Sequence, residues 1–265
     1  MHGFEELVLN RPGCAVHAWT SAGNGAKPLL VLVHGAGLDH AMFEPQIRDL
    51  QAVCRMAVLD MRGHGFSRPL TRPFSIEDAA ADVLHLIDEL CVQRAMLLGH
   101  SMGGVIAQDL IWRAPERVSA LVSADSVCTT LPRSPAQNIM VRLFPVFMRV
   151  VPERLLWSQL IGLSKRPAVR QYISTSIRKL SRRELSETLM ATVRGFHPDP
   201  RYRLPCPLLI VRGEHQDGRP RRLPEWAARD NADYVIIPDA GHLSNMDNPR
   251  AFDKRVLEFV EHVAS

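Results

Sequence analysis

The sequence predicts an α/β protein: a mostly parallel, eight-stranded sheet flanked by helices, with a helical cap inserted into it. Three observations lead there. Eight short apolar segments bounded by turn residues read as strands. From Leu29 onward these segments alternate with helical patterns, which implies right-handed βαβ units and a parallel sheet. After Asp125 the alternation stops, and about 75 residues of helical character intervene before it resumes at Leu208.

In order, Phe4 to Leu9 and Cys14 to Thr20 read as an antiparallel strand pair, followed by a turn at Gly23-Asn24-Gly25. Strand Leu29 to Val33 precedes a helix near His40 to Leu50. Strand Arg55 to Leu59 precedes a helix over Ile76 to Leu90, with Ser75 as its N-cap. Strand Ala95 to Leu98 leads into a helix over Val105 to Trp112, and Val118 to Val122 is the next strand. Asn138 to Leu163, carrying Pro145 and Pro152, and Arg166 to Val193 read as helical. Strand Leu208 to Val211, a helix around Pro224 to Arg229, strand Tyr234 to Ile237 and a helix over Pro249 to Val263 complete the chain. The expected boundaries are therefore 1–126 and 201–265 for the core and 127–200 for the cap.

Composition narrows the class. Of the 265 residues 46% are apolar, yet no stretch approaches the ~18 uninterrupted apolar residues of a membrane span. The start, Met1 to Glu6, has neither a basic n-region nor an apolar h-region, so no secretory leader is expected. The five cysteines, at 14, 54, 91, 128 and 206, are odd in number and form no C-x-x-C pair. They read as small core residues in a reducing compartment, with no metal site, and the expected location is cytoplasmic. The net charge is +4, but Val127 to Pro200 carries twelve Lys and Arg against four acids, which leaves −4 for the remainder. These arginines read as solvated helix faces or as a basic rim that steers anions. Nucleic acid is not an expected partner, since no binding motif accompanies the charge; a homodimer is left open.

The chemistry concentrates at Gly99-His100-Ser101-Met102-Gly103, set between an apolar strand and a helical pattern. Two glycines let strand and helix close into a strained turn that holds the Ser101 hydroxyl out at the sheet's carboxyl edge. Such a string is weak evidence alone, but three others accompany it in order: His34-Gly35-Ala36-Gly37 after a strand, Asp60-Met61-Arg62-Gly63-His64-Gly65-Phe66-Ser67 after the next, and Pro238-Asp239-Ala240-Gly241-His242 after the last. Together these motifs resemble the α/β-hydrolase family from about Leu29 to Val263.

The resemblance implies a serine nucleophile at Ser101 and a general base at His242, histidine being the side chain whose unperturbed pKa lies near neutrality. It implies an oxyanion hole built from the backbone N–H groups of Ala36 and Met102. His100 reads as a packing residue or supporting donor, and His34 as a loop anchor. In the family the acid usually stands three residues after the glycine ending the seventh strand. Here that position is Gln216, in Gly213-Glu214-His215-Gln216-Asp217, and the carboxylate comes one residue late. A one-residue bulge would bring Asp217 to His242. Asp125, at the end of the strand after the elbow helix, is the alternative. The Arg62 string reads as a turn braced by an ion pair.

Met140, Phe144, Phe147 and Met148, at helical spacing within the cap, read as cap core and as the wall of an apolar substrate pocket. The expected activity is cofactor-independent hydrolysis of a hydrophobic small-molecule ester or lactone through an acyl-enzyme. Carbon-carbon bond hydrolases, perhydrolases, acyltransferases and ligand-sensing receptors share the same motifs and stay open.

Overall fold

The computed structural model describes residues 3–23, 27–216 and 222–264. Its centre is one eight-stranded sheet in the order β1-β2-β4-β3-β5-β6-β7-β8. The strands are β1 (Phe4–Arg11), β2 (Cys14–Ser21), β3 (Leu29–Val33), β4 (Arg55–Leu59), β5 (Ala95–His100), β6 (Val118–Ala124), β7 (Leu208–Gly213) and β8 (Asp233–Ile237). Only β2 runs against its neighbours, being antiparallel to β1 and β4; the pairs from β4 to β8 are parallel. All eight expected strands are present. The turn expected at Gly23-Asn24-Gly25 lies partly outside the described residues.

Helices α1 (Glu44–Leu50), α2 (Ile76–Glu89) and α3 (Met102–Arg113) follow β3, β4 and β5. Four more, α4 (Pro135–Val150), α5 (Glu153–Ile161), α6 (Pro167–Ile177) and α7 (Arg182–Arg194), stand between β6 and β7, and α8 (Leu223–Asp230), α9 (Ser244–Asp247) and α10 (Pro249–Ala264) complete the set. The helix expected near His40 to Leu50 opens with a 3₁₀ turn over His40–Phe43. The two long cap patterns are each broken once. Pro152 has no N–H to continue α4, and Ser181 starts α7 with a capping box to Glu184.

The sheet splits the core into two layers. Val31, Val33, Leu97, Val105 and Ile106 pack on the face covered by α2 and α3, whereas Leu30, Leu32, Leu98, Phe252 and Val256 pack on the other. This is the period-2 consequence of strands buried on both faces. Between β4 and β5 the order changes direction at β3, which opens a crevice at the carboxyl ends of β3 and β5. Arg62 braces the loop beside it through two 2.7 Å bonds to Asp82, both residues buried, so the expected ion pair is present.

Candidate active site

Ser101 sits at the switch from β5 to α3 with φ 51° and ψ −110°. A non-glycine residue holds such angles only where its surroundings enforce them. Its N–H donates to Ala124 O at 2.9 Å, and its carbonyl accepts from Ser126 Oγ at 2.6 Å. The close approach of helix and strand depends on Gly103, where a Cβ would lie 2.0 Å from Val33 O. The strained serine is thus clamped by β6 on one side and by the β3 edge on the other.

His242 meets it. Its Nε2 lies 3.2 Å from Ser101 Oγ, within reach of a proton transfer once substrate closes the geometry. The His242 backbone is pinned twice, its N–H donating to Leu163 O at 2.8 Å and its carbonyl accepting from His100 Nε2 at 2.7 Å. His100 is therefore a supporting donor turned away from the serine hydroxyl. His34 anchors its loop as expected: its Nε2 accepts from Met61 N at 2.9 Å while Nδ1 donates to Gly35 O at 2.8 Å. Burial lowers the pKa of His34 and pushes that of His64 down to about 3.

The loop carrying Ala36 lies against the elbow, since a Cβ on Gly35 would come within 2.6 Å of His100 Nδ1 and 3.4 Å of Ser101 Cβ. Met102 is the first residue of α3, where backbone N–H groups have no intrahelical acceptor and the helix dipole favours negative charge. The same loop is tied to the inserted helices by Asp39, which accepts from Lys179 Nζ at 3.0 Å and Tyr172 Oη at 2.9 Å. Burial alone would raise the pKa of Asp39; the Lys179 ammonium, together with His34 and the Tyr172 hydroxyl, outweighs it and holds the carboxyl low.

Asp125 is buried at the end of β6, and hydrogen bonds from several parts of the chain converge on it. Gly213 N (2.9 Å) and Gln216 Nε2 reach Oδ1, while Ser244 N (2.9 Å) and Ser244 Oγ (2.6 Å) reach Oδ2. It also lies 3.8 Å from His100 Nε2. Gln216, at the position where the family carries its acid, donates to Asp125 and to Gly241 O. Asp217 lies outside the described residues.

Of the expected pocket residues, Met148 is buried and Phe144 half-buried. Met140 and Phe147 project to solvent, 59% and 48% exposed, so α4 is not the packed cap core that its periodicity suggested. Its inward edge is the Phe144 and Met148 side, where it rests on α7. Most arginines of the inserted segment are exposed, and some of them also bond backbone carbonyls. Arg182 donates to Met148 O, Arg170 to Ser164 O and Arg166 to Asp247 O.

Sequence reasoning missed three supports. Ser126 and Ser244 hold the elbow and Asp125, and Asp247 accepts from Gly241 N at 2.7 Å and from Ser164 Oγ, fastening the insertion to the histidine loop. No motif marks them, because each bonds across a long stretch of chain. Among the described residues one group of metal-ligating type, Glu214, His215 and Asp239, is exposed at the ends of β7 and β8. Lys165 and Arg166 share its hollow and oppose a cation there.

Among the described residues no helix is long and apolar enough to cross a membrane. The five cysteines are free thiols.

A doubly wound sheet with a strained serine elbow and a histidine on its last loop is the arrangement of a hydrolase of α/β architecture. The chain belongs to the Alpha/beta hydrolase family, whose model matches residues 30–255. It is 30% identical over 259 residues to a pimeloyl-[acyl-carrier protein] methyl ester esterase of Pectobacterium carotovorum, a match covering 92% of this chain and 98% of that protein. It is 28% identical over 247 residues to the dihydrolipoyllysine-residue acetyltransferase component of the acetoin cleaving system of Pseudomonas putida. That match covers 90% of this chain and 64% of the relative, so the chain spans under two thirds of that protein's length. The enol-lactonase from Burkholderia xenovorans superimposes with a TM-score of 0.81 at 26% identity, over 96% of this chain and 100% of that one.

Proposed function

We propose that the protein is a serine hydrolase that cleaves carboxylic esters or lactones of hydrophobic small molecules without a cofactor. One observation carries this reading: the 3.2 Å approach of His242 Nε2 to Ser101 Oγ on an elbow at φ 51°. Ser101 Oγ attacks the carbonyl carbon as His242 Nε2 takes its proton, and the carbonyl oxygen becomes an oxyanion bound by the N–H groups of Ala36 and Met102. The imidazolium then protonates the leaving alkoxide, the carbon-oxygen bond breaks, and the acyl group stays on Ser101. Water, deprotonated by His242, releases the acid and restores the serine. The esterase and lactonase relatives support this reaction class.

We assign the histidine-orienting carboxylate to Asp217, with Asp125 as the alternative. The place of the acid in the family, three residues after the glycine that ends β7, supports the assignment, since Asp217 stands one residue beyond that position. Asp125 accepts from backbone N–H groups of β7 and α9 and from the side chains of Gln216 and Ser244, and so joins β6, β7 and the histidine loop. In the same reading, residues 127–200 act as the cap and the location is cytoplasmic. Support for the cap comes from Leu163, whose carbonyl receives His242 N–H.

A panel of p-nitrophenyl esters and lactones assayed with the native chain and Ser101→Ala tests the reaction class. The native chain should turn over repeatedly, and the variant should lose about 10³-fold or more while keeping its thermal transition. A single stoichiometric release without turnover would favour a ligand-sensing receptor. Full activity in the variant would remove Ser101 from the mechanism.

A further inference from the structure

Helix α4 presents its apolar side to solvent. Ile139, Met140, Leu143, Val146, Phe147 and Val150 are 48–68% exposed, and at 3.6 residues per turn they fall on one arc of roughly 120°. Met148 on the opposite side is buried. The orientation is fixed at both ends. Ser134 and Gln137 form a capping box at the start, and Arg182 of α7 donates to the carbonyls of Met148 and Val151 at the end. A contiguous apolar face of this kind on a folded chain marks a contact surface.

Its charge says which contact. Arg142 and Arg149, seven residues apart and both exposed, border the arc on one side, and no Asp or Glu occurs from Ser126 through Pro152. Antiparallel pairing with a second copy of the helix would set these basic borders against one another, and parallel pairing would leave them with no acid on the partner helix to receive them. An anionic lipid surface offers what both features need, an apolar layer for the arc and negative headgroups for the arginines.

We propose that α4 is a docking helix that lies in the headgroup region of an anionic membrane surface, its apolar arc inserted and Arg142 and Arg149 on the lipid phosphates. The helix anchors the protein to the surface without spanning it. The inference is independent of the hydrolytic reaction and would hold for this chain whatever its substrate.

Flotation of the full chain with vesicles tests it. Vesicles of equal parts phosphatidylglycerol and phosphatidylcholine should carry the protein, and pure phosphatidylcholine should bind about 30-fold more weakly, as two interfacial arginines imply. Leu143→Gln with Phe147→Gln should lower binding to the mixed vesicles by about tenfold or more. Arg142→Gln with Arg149→Gln should erase the preference for the anionic lipid. All four residues are exposed, Phe147 by 48%, so thermal unfolding of both double variants should stay close to that of the native chain. The proposal is overturned by no flotation, by equal flotation with both vesicle types, or by flotation that neither double variant reduces. Dimerisation in ultracentrifugation that the Leu143 and Phe147 variant abolishes, without vesicle binding, would assign the face to a second copy.

Discussion

At the residue scale, chemistry turns on a few atoms placed by backbone strain and hydrogen bonds. Ser101 was readable because its motif carries its own geometry: glycines on both sides, a strand before, a helix after. His242 was readable from its place after the last strand. The carboxylate is not, because the position expected for it holds Gln216 and the next acid, Asp217, comes one residue later, so spacing alone does not decide between Asp217 and Asp125. The near-isosteric pair Asp217→Asn and Asp125→Asn separates the two assignments. Asp217→Asn should lower kcat by up to about 10⁴ by freeing His242 to adopt the wrong tautomer. Asp125→Asn should act mainly on stability, since it puts an amide NH₂ where an oxygen now accepts two donors. If the losses in kcat are reversed, Asp125 orients the histidine.

Elements set where those atoms can stand. The strands were legible because buried parallel strands are short, continuously apolar runs, and the ends of β3 and β4 match the sequence reading to the residue. Helix α4 was legible as a helix but not in its orientation. Its period shows an apolar face without showing what that face meets, and the side that meets α7 is narrow. Most arginines of the inserted segment are exposed, as their place on helix faces suggests, whereas Arg182 is half-buried and bonds the Met148 carbonyl, a use that sequence does not distinguish from a solvated charge. The elbow itself makes an element-scale prediction. Gly103→Ala would set a methyl 2.0 Å from Val33 O and force α3 off the sheet. It should cost more than about 2 kcal/mol in denaturant unfolding and take the proposed hydrolytic turnover with it. Unchanged stability would mean that the helix does not approach β3 this closely.

For the whole molecule, one buried acid links pH to stability. Asp253 of α10 accepts from Gln46 Nε2 of α1 at 3.0 Å in a nearly closed site. Burial pushes its pKa up to about 7; the Gln46 bond opposes the rise, and Asp49 adds to it. The folded pKa lies above the unfolded value, so this group's contribution is complete below about pH 4 and is lost as pH rises through 7. Asp253→Asn keeps an acceptor for Gln46 and cannot ionise. Relative to the native chain its gain should grow as pH rises from about 4 to 7 and be larger at pH 8 than at pH 5 by about 1 kcal/mol or more. Thermal melts of both proteins at the two pH values check this, and equal gains at both would remove Asp253 as the source.

The account's central claim is that Ser101, activated by His242, is the nucleophile. Treating the native chain with a fluorophosphonate and mapping the adduct by peptide mass spectrometry tests it most directly. The account predicts one phosphonyl group per chain on the peptide containing Ser101, hydrolysis lost in step with labelling, and labelling slowed by about 10³-fold or more in His242→Ala. Stoichiometric inactivation with the group on another residue, or labelling of Ser101 at the native rate without His242, would contradict it.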